Sequence, residues 1–437
     1  MDGLSDARLP DAAWRHRLGL DRLAAVLGGE ASEARFVGGA VRDTLLGLDA
    51  HDVDLATVHA PDEVVRRLEA AGIKAVPTGI AHGTVTAVSA GTVVEVTTLR
   101  RDVSTDGRHA FVAYTDDWRE DAARRDFTMN ALYADPVSGE VFDWFGGLAD
   151  LAAGRVRFIG DPYQRIAEDH LRILRFFRFH ARFGDAVDGD GLAACVARAN
   201  DLMALSRERV AAELTKLLVA RSAVPVVALM HDTGIFRPII PEIDAAGIAR
   251  LRDLADREAA SHVAPDAIRR LAALLPPASA EGVGARLKLS NADRKRLLLA
   301  TQGAGDEGPR GLAYRHGVEV ALDRLLLAGE DVSPLTVWSA PRMVIGGGDL
   351  VARGLSKGPL VARTLKRVES RWIAEGFPDA ARTTVIADEE VAAVLAVMGV
   401  PGVALFIPKF LMVNYLGIYD TYAAMILPLI VDAAGVF

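Results

Sequence analysis

The chain has 437 residues, 51% of them hydrophobic, a formal net charge of −8 and a single cysteine, Cys195. Its length exceeds the usual size of one hydrophobic core, so about two to four domains are expected. One cysteine excludes an intrachain disulfide framework and suits a reducing cytoplasm; the acidic balance excludes a protein that coats nucleic acid indiscriminately, yet leaves room for a local basic groove.

Residues 1–30 carry charges throughout, among them Asp2, Asp6, Arg8, Asp11, Arg15 and Arg17. Residues 1–20 lack the apolar stretch of a secretory signal, and residues 1–30 read as a helical lead-in to a cytoplasmic catalytic part. From 35 to about 141 short apolar runs alternate with turns: strands are predicted over 34–37, 53–56, 83–88, 92–97 and 131–133, and a helix over 61–71. The first run ends in Gly38 and Gly39, which let backbone N–H groups approach a phosphate, and Arg42 follows as a fixed positive fork. Further on come Asp52, Val53 and Asp54. Residues i and i+2 of a strand share a face, so Asp52 and Asp54 project together and can bind a divalent metal. Mg2+ is the expected ion, because it takes oxygen ligands and keeps substrate phosphates in its shell. An Asp-x-Asp or a Gly-Gly alone is usually a turn. The ordered set of strand, glycine turn, arginine, helix and carboxylate strand points to nucleotidyl transfer.

Glu95 interrupts the apolar run Val93-Val94-Glu95-Val96. It is either a third acidic group beside Asp52 and Asp54 or an edge-strand glutamate facing water. Arg124 and Arg125 precede Asp126 and a further apolar turn; Arg125 either grips phosphate or forms a surface salt bridge with Asp121 or Asp126.

After Gly146 and Gly147 helical periodicity dominates, with helices predicted over 165–183, 191–199, 207–219, 224–231, 248–258 and 267–275. The chain is therefore α+β: a mixed head followed by a largely all-α remainder. Residues 276–279 and 302–309 are the linker candidates. On the helix predicted over 165–183, Asp169 and Arg172 are surface neighbours at i and i+3 and can present an acceptor and donors to a base edge, or form an intrahelical salt bridge. An i+3 row drifts by roughly 60° per step, so Arg175 and Arg178 wind away from Asp169 and suit phosphate better. The seven arginines from Arg155 to Arg182 mark where a polynucleotide is expected to lie. His231-Asp232, without further His and Asp partners at set positions, reads as a helix end.

Together Val37-Gly38-Gly39-Ala40-Val41-Arg42-Asp43, Asp52-Val53-Asp54, Val94-Glu95-Val96-Thr97-Thr98, Arg124-Arg125-Asp126-Phe127-Thr128-Met129-Asn130 and Glu168-Asp169-His170-Leu171-Arg172 resemble the class II tRNA nucleotidyltransferases, the CCA-adding enzymes, and the bacterial poly(A) polymerases. The resemblance covers roughly residues 30–385. It implies a polymerase-β-like nucleotidyltransferase head over 31–155, a helical neck that recognises the base over 156–220, a helical body over 221–300 and a helical tail over 301–385, the last two binding tRNA. It implies Mg2+ on Asp52 and Asp54, triphosphate contacts from Gly39, Arg42 and Arg125, and a protein template of Asp169 and Arg172 for CTP and ATP, with Arg175 and Arg178 in support. The activity implied is template-independent addition of CCA to the tRNA 3′ end, with two metals assisting in-line transfer and pyrophosphate released. A poly(A) polymerase or an A-adding enzyme is the alternative, although the strongly basic extensions usual in the poly(A) polymerases are lacking. Residues 102–108 resemble the loop that the family links to the switch from C to A addition. No stable protein partner is expected.

From about Val391 the chain departs from that family. Residues 391–408 carry no charge, long enough to permit a membrane span, but Gly399, Pro401 and Gly402 interrupt them. Residues 407–428 resemble a fragment of a sugar ABC transporter permease. The apolar segment 386–437 thus reads as incidental to the enzyme, with a membrane-associated protein as the different-class alternative.

Overall fold

The structure is a computed structural model, and it describes residues 4–50, 52–80, 83–105, 110–398 and Tyr415. The chain divides into two compact units, residues 1–302 and 303–437.

The first unit opens with a mixed sheet in the order β1-β10-β9-β2-β3-β6-β5-β4. Its strands are β1 (Leu4–Arg8), β2 (Ala34–Val37), β3 (Asp54–Thr57), β4 (Lys74–Gly79), β5 (Thr84–Ser89), β6 (Thr92–Thr98), β9 (Tyr133–Ala134) and β10 (Glu140–Phe142). β7 (Arg100–Thr105) and β8 (Ala110–Tyr114) pair as a separate hairpin. Among the described strands only β3 and β6 run parallel, with Asp54 opposite Glu95 and Leu55 opposite Val96. Leu55, Val85, Ala87, Val94 and Val96 are buried. Here α1 (Leu20–Val26) and α3 (Pro61–Ala70) pack on the sheet, contributing Leu20, Leu23, Val64 and Leu68. Side chains alternate along a strand, so burying Val94 and Val96 leaves Glu95 on the open face. α2 (Gly39–Leu45) follows β2 directly.

Within the lead-in expected to be helical, Leu4–Arg8 is instead an edge strand paired with β10. Its sequence lacks the alternating apolar pattern of a half-buried strand, because an edge strand mostly faces water.

Past α4 (Trp118–Ala123) and α5 (Gly147–Ala152) the unit is helical. The helix expected over 165–183 is two helices, α6 (Pro162–Glu168) and α7 (Arg172–Phe183), because Asp169 is extended at φ −151°, ψ 107°. α7 is bound to the head by packed rings: Phe127 lies 4.9 Å from Phe158 and 5.2 Å from Phe179, and Phe158 stacks on Phe176 at 5.6 Å. Then follow α8 (Gly189–Ala197), α9 (Arg207–Leu218), α10 (Ala223–Asp232), α11 (Ala245–Ala260), α12 (Ala267–Leu274), α13 (Ala280–Arg286) and α14 (Asn291–Ala300). Glu258 of α11 is buried against Arg269 at 2.7 Å and Arg270 at 2.8 Å of α12, which pins these two helices together.

The second unit has α15 (Gly308–His316), α16 (Val318–Ala328), α17 (Gly347–Ala352), α18 (Pro359–Ala374) and α19 (Ala380–Met398). Leu350, Val368, Trp372 and Ile386 form part of its core, and Trp372 meets Phe377 edge-on at 4.9 Å. Among the described residues no helix is long and apolar enough to cross a membrane. The permease-like tail lies outside the described residues apart from Tyr415, as do residues 106–109 of the loop linked to C-to-A switching.

Candidate active site

β2 ends at Val37, and Gly38 turns the chain into α2 with φ 71° and ψ −121°. That backbone is closed to L side chains, so the glycine is required here by conformation. A Cβ would meet Nη1 of Arg125 at 3.5 Å, an ordinary contact. Gly38→Ala is therefore expected to destabilise through backbone strain rather than collision, by about 1–3 kcal/mol, seen as a lower denaturation midpoint at unchanged m-value.

One turn into α2, Arg42 is buried. Its Nη1 donates to Oδ1 of Asn130 at 2.5 Å and its Nε to Oδ1 of Asp43 at 2.7 Å. The guanidinium lies 4.3 Å from the Phe183 ring centre, a cation–π contact. Burial pulls its pKa down against the opposing charge of Asp43. Arg182 of α7 closes on the other oxygen of Asp43 at 3.1 Å.

Asp54 opens β3, and Asp52 lies just before the strand, exposed. Burial, then the negative charge of Glu95, pushes Asp54 up to about 6 against the opposing Arg125. Glu95 faces open space beside Asp54, on an interior strand between β3 and β5 rather than on an edge. Asp52, Asp54 and Glu95 line one cavity of 610 Å3 together with Arg17. The donors are all oxygen, and their crowded charge is what a hard divalent cation relieves. Among the described residues no three His, Cys, Asp or Glu side chains gather into a ready metal cage. A cation fits here as one sharing its shell between a carboxylate or two, phosphate and water.

Asp54 also lines a second cleft, of 440 Å3, and Gly38, Gly39, Arg42, Arg125, Asp169, Arg172, Arg175 and Arg178 line it too. Every nucleotide-binding candidate of the sequence thus meets Asp54 in one place. Arg125 pairs with Asp121, one of the two partners expected, but it is largely buried instead of on the surface. Its Nε donates to Oη of Tyr133 at 3.1 Å, and the Tyr133 hydroxyl donates to Asp121 at 2.5 Å. Nη2 of Arg125 lies 3.3 Å from Asp121, and Nε of Arg124 lies 2.8 Å from it. Burial would raise the Asp121 carboxyl; Arg125 and Arg124 outweigh it and bring the group to about 2.

Asp169 and Arg172 do not share a helix, and they do not form the intrahelical salt bridge. Oδ1 of Asp169 accepts from the Leu171 amide at 3.1 Å, which breaks the helix before Arg172. Arg172 instead reaches back across the break, donating to Glu168 at 2.6 Å, to the Arg165 carbonyl at 2.9 Å and to the Arg124 carbonyl at 3.1 Å. Arg175 pairs with Asp126 at 2.5 Å, Arg178 with Glu213, and Asp169 with Arg209 at 2.9 Å. The basic stretch is thus largely compensated. Arg155 and Arg157 each hold Asp150 at 2.8 Å, and Arg165 holds Glu168 at 3.0 Å. A guanidinium in an ion pair still has N–H groups to offer a phosphate.

Asn130, Arg209 and Glu213 escaped the sequence reading as partners, and Asp126, expected there as a possible partner of Arg125, pairs with Arg175. Asp126 and Asn130 stand in a quoted motif, whereas nothing in the local pattern around Arg209 and Glu213 marks them. His231 and Asp232 end α10, where the ring Nδ1 lies 3.1 Å from Asp232. Cys195 is buried, and burial pushes its thiol pKa up, as befits an inert core residue.

Residues 34–157 match the family described as Poly A polymerase head domain, and residues 186–246 match the probable RNA and SrmB- binding site of polymerase A. The mitochondrial CCA tRNA nucleotidyltransferase 1 of Mus musculus is 34% identical over 384 residues, covering 82% of this chain and 87% of that one. The structure of the Bacillus stearothermophilus CCA-adding enzyme in complex with CTP superposes with a TM-score of 0.65 at 26% identity, covering 82% of this chain and 93% of that one. The Thermotoga maritima CCA-adding enzyme complexed with tRNA shares the fold, with a TM-score of 0.63 at 19% identity over 86% of this chain and 95% of that one. With the glycine turn, the strand carboxylate and the arginine wall assembled in one cleft, and with relatives matched along most of their length, this chain belongs to the family of CCA tRNA nucleotidyltransferases.

Proposed function

We propose that this protein adds C, C and A to the 3′ end of tRNA, using CTP and ATP, releasing pyrophosphate and choosing each base with side chains in place of a nucleic-acid template. The observation that carries this reading is the shared cleft, in which Asp54, the Gly38 turn and Arg125 face the same space as Asp169 and Arg172. In the reaction the RNA 3′-hydroxyl oxygen bonds to the α-phosphorus as the bond to the pyrophosphate oxygen breaks, and the hydroxyl proton passes to water. Gly38, Gly39, Arg42 and Arg125 hold the triphosphate, and their fixed positive groups oppose charge developing on the leaving pyrophosphate. Asp52 and Asp54 would hold Mg2+, and Glu95 adds to the negative charge of that site. The bound metal supplies acidification of the 3′-hydroxyl and charge neutralisation at the phosphates. Asp169 accepts from the amino group that cytosine and adenine both carry, and Arg172 donates to the adjacent ring nitrogen. Arg175 and Arg178 support the nucleotide from α7. Residues 156–220 then serve as the neck, and the helices of 221–300 and 301–385 hold the tRNA.

Incubating the full chain with tRNA lacking its terminal CCA, with Mg2+ and with each nucleotide in turn tests the reading. Two C residues from CTP, one A after them and then a stop are expected. Long A tracts would instead identify a poly(A) polymerase, and A addition without C addition an A-adding enzyme.

A further inference from the structure

Asp169 is an unusual place for a selecting group, because it occupies the break between α6 and α7 and has no helix of its own. Locally only one of its oxygens is held, Oδ1 by the Leu171 amide. The other support comes from 40 residues away: Nη2 of Arg209 donates to Oδ1 at 3.1 Å and to Oδ2 at 2.9 Å. Arg209 is itself well rooted. Ser206 caps α9, accepting from the Arg209 amide at 3.4 Å. One turn further on, at i+4 and so on the same face, Glu213 grips Nε of Arg178. α9 therefore meets the cleft wall through two ion pairs of opposite polarity, an arginine on the anion and a glutamate on the cation. That pattern fixes the register of α9 against the residues that line the cleft.

We propose that Arg209 is a positioning residue for nucleotide selection, fixing the Asp169 carboxylate toward the incoming base. The inference rests on the function proposed above. A carboxylate offers about four acceptor positions. The Leu171 amide takes one and Arg209 two, leaving about one for a single amino donor. Cytosine and adenine present an amino donor where uracil and guanine present a keto acceptor. A carboxylate held in place rejects the keto bases; one free to swing lets water bridge to them. The pair is partly exposed, 44% for the Arg209 side chain and 33% for Asp169, so its contribution to folding is small and its removal leaves the fold intact.

The test measures kcat/KM for CTP and UTP on tRNA lacking CCA, and for ATP and GTP on tRNA ending in CC. For Arg209→Met the UTP-to-CTP and GTP-to-ATP ratios are expected to rise about tenfold, with the thermal midpoint unchanged. Arg209→Lys, which keeps a donor but loses the planar fork, restores part of the selectivity. In an Asp169→Asn background Arg209→Met has no further effect on the ratios, which a merely structural role would not produce. Equal losses for all four nucleotides, or wild-type ratios in Arg209→Met, overturn the inference. A wild-type chain that adds neither CTP nor ATP overturns the function on which it rests.

Discussion

Asp54→Asn is expected to lower the rate of nucleotide addition by about a thousandfold or more while making the metal-free protein more stable at pH 8. The two effects share one cause. Asp54 is raised from 3.8 to about 6 by burial and by Glu95, so the fold holds it more readily protonated than ionised. Its favourable contribution is complete below about pH 4 and is lost as pH rises through about 6, beyond which the ionised carboxylate weighs against the fold. A shift of about two units bounds this at about 3 kcal/mol, and the solvent on the open side of the sheet brings it nearer 1–2 kcal/mol. Asparagine keeps the shape and removes the charge, at the loss of the proposed cation ligand. Thermal melts in EDTA should give a midpoint higher by about 2–5 °C for the variant at pH 8 and no difference at pH 4. Added Mg2+ should stabilise the wild type and leave the variant where it was. A variant that retains full activity, or that melts below the wild type at pH 8 in EDTA, contradicts this account of Asp54.

Asp126→Ala is expected to cost about 2–4 kcal/mol of stability and to impair nucleotide addition severely. Asp126 is buried, and its Oδ2 pairs with Arg175 of α7 at 2.5 Å. Its Oδ1 accepts from the Phe127 amide and from Nδ2 of Asn130, both at 2.9 Å. Asn130 uses its own oxygen to hold Arg42. A single carboxylate thus ties the arginine after the glycine turn to the helix that carries Arg175 and Arg178. Alanine strips the Arg175 cation of its partner and lets Asn130, and with it Arg42, rotate. Asp126→Asn, which keeps one acceptor, should recover part of the stability and less of the activity. Denaturant titration beside the addition assay measures both; an alanine variant within about 0.5 kcal/mol of wild type would refute the linkage.

The residues of the cleft were legible because few residue types suit the chemistry proposed for it. Gly38 answers a need for unusual backbone, the proposed chemistry asks for hard oxygen from Asp54 and fixed positive charge from Arg42 and Arg125, and each announces itself by type and spacing. Much of the secondary structure was legible for the same reason: β2 lies at Ala34–Val37 as its apolar run predicts, and α9 begins at Arg207 after its Ser206 cap. Leu4–Arg8 was not legible as a strand, since its place depends on the β10 backbone far along the chain. Nor was the break at Asp169, where a side chain competing for a backbone amide overrides a helical periodicity that runs through it.

By itself the sequence determined the α+β class and named most of the residues that line the cleft, because composition, period and motif act over a few residues. Only the tertiary structure decided how those residues are held. Arg182 meets Asp43 across 139 positions, Arg175 meets Asp126 across 49, and Arg209 meets Asp169 across 40. Ion pairs of that separation are set by which elements the fold packs side by side, and the buried carboxylates of Asp43 and Asp126, cut off from water, take the arginine that packing brings within reach.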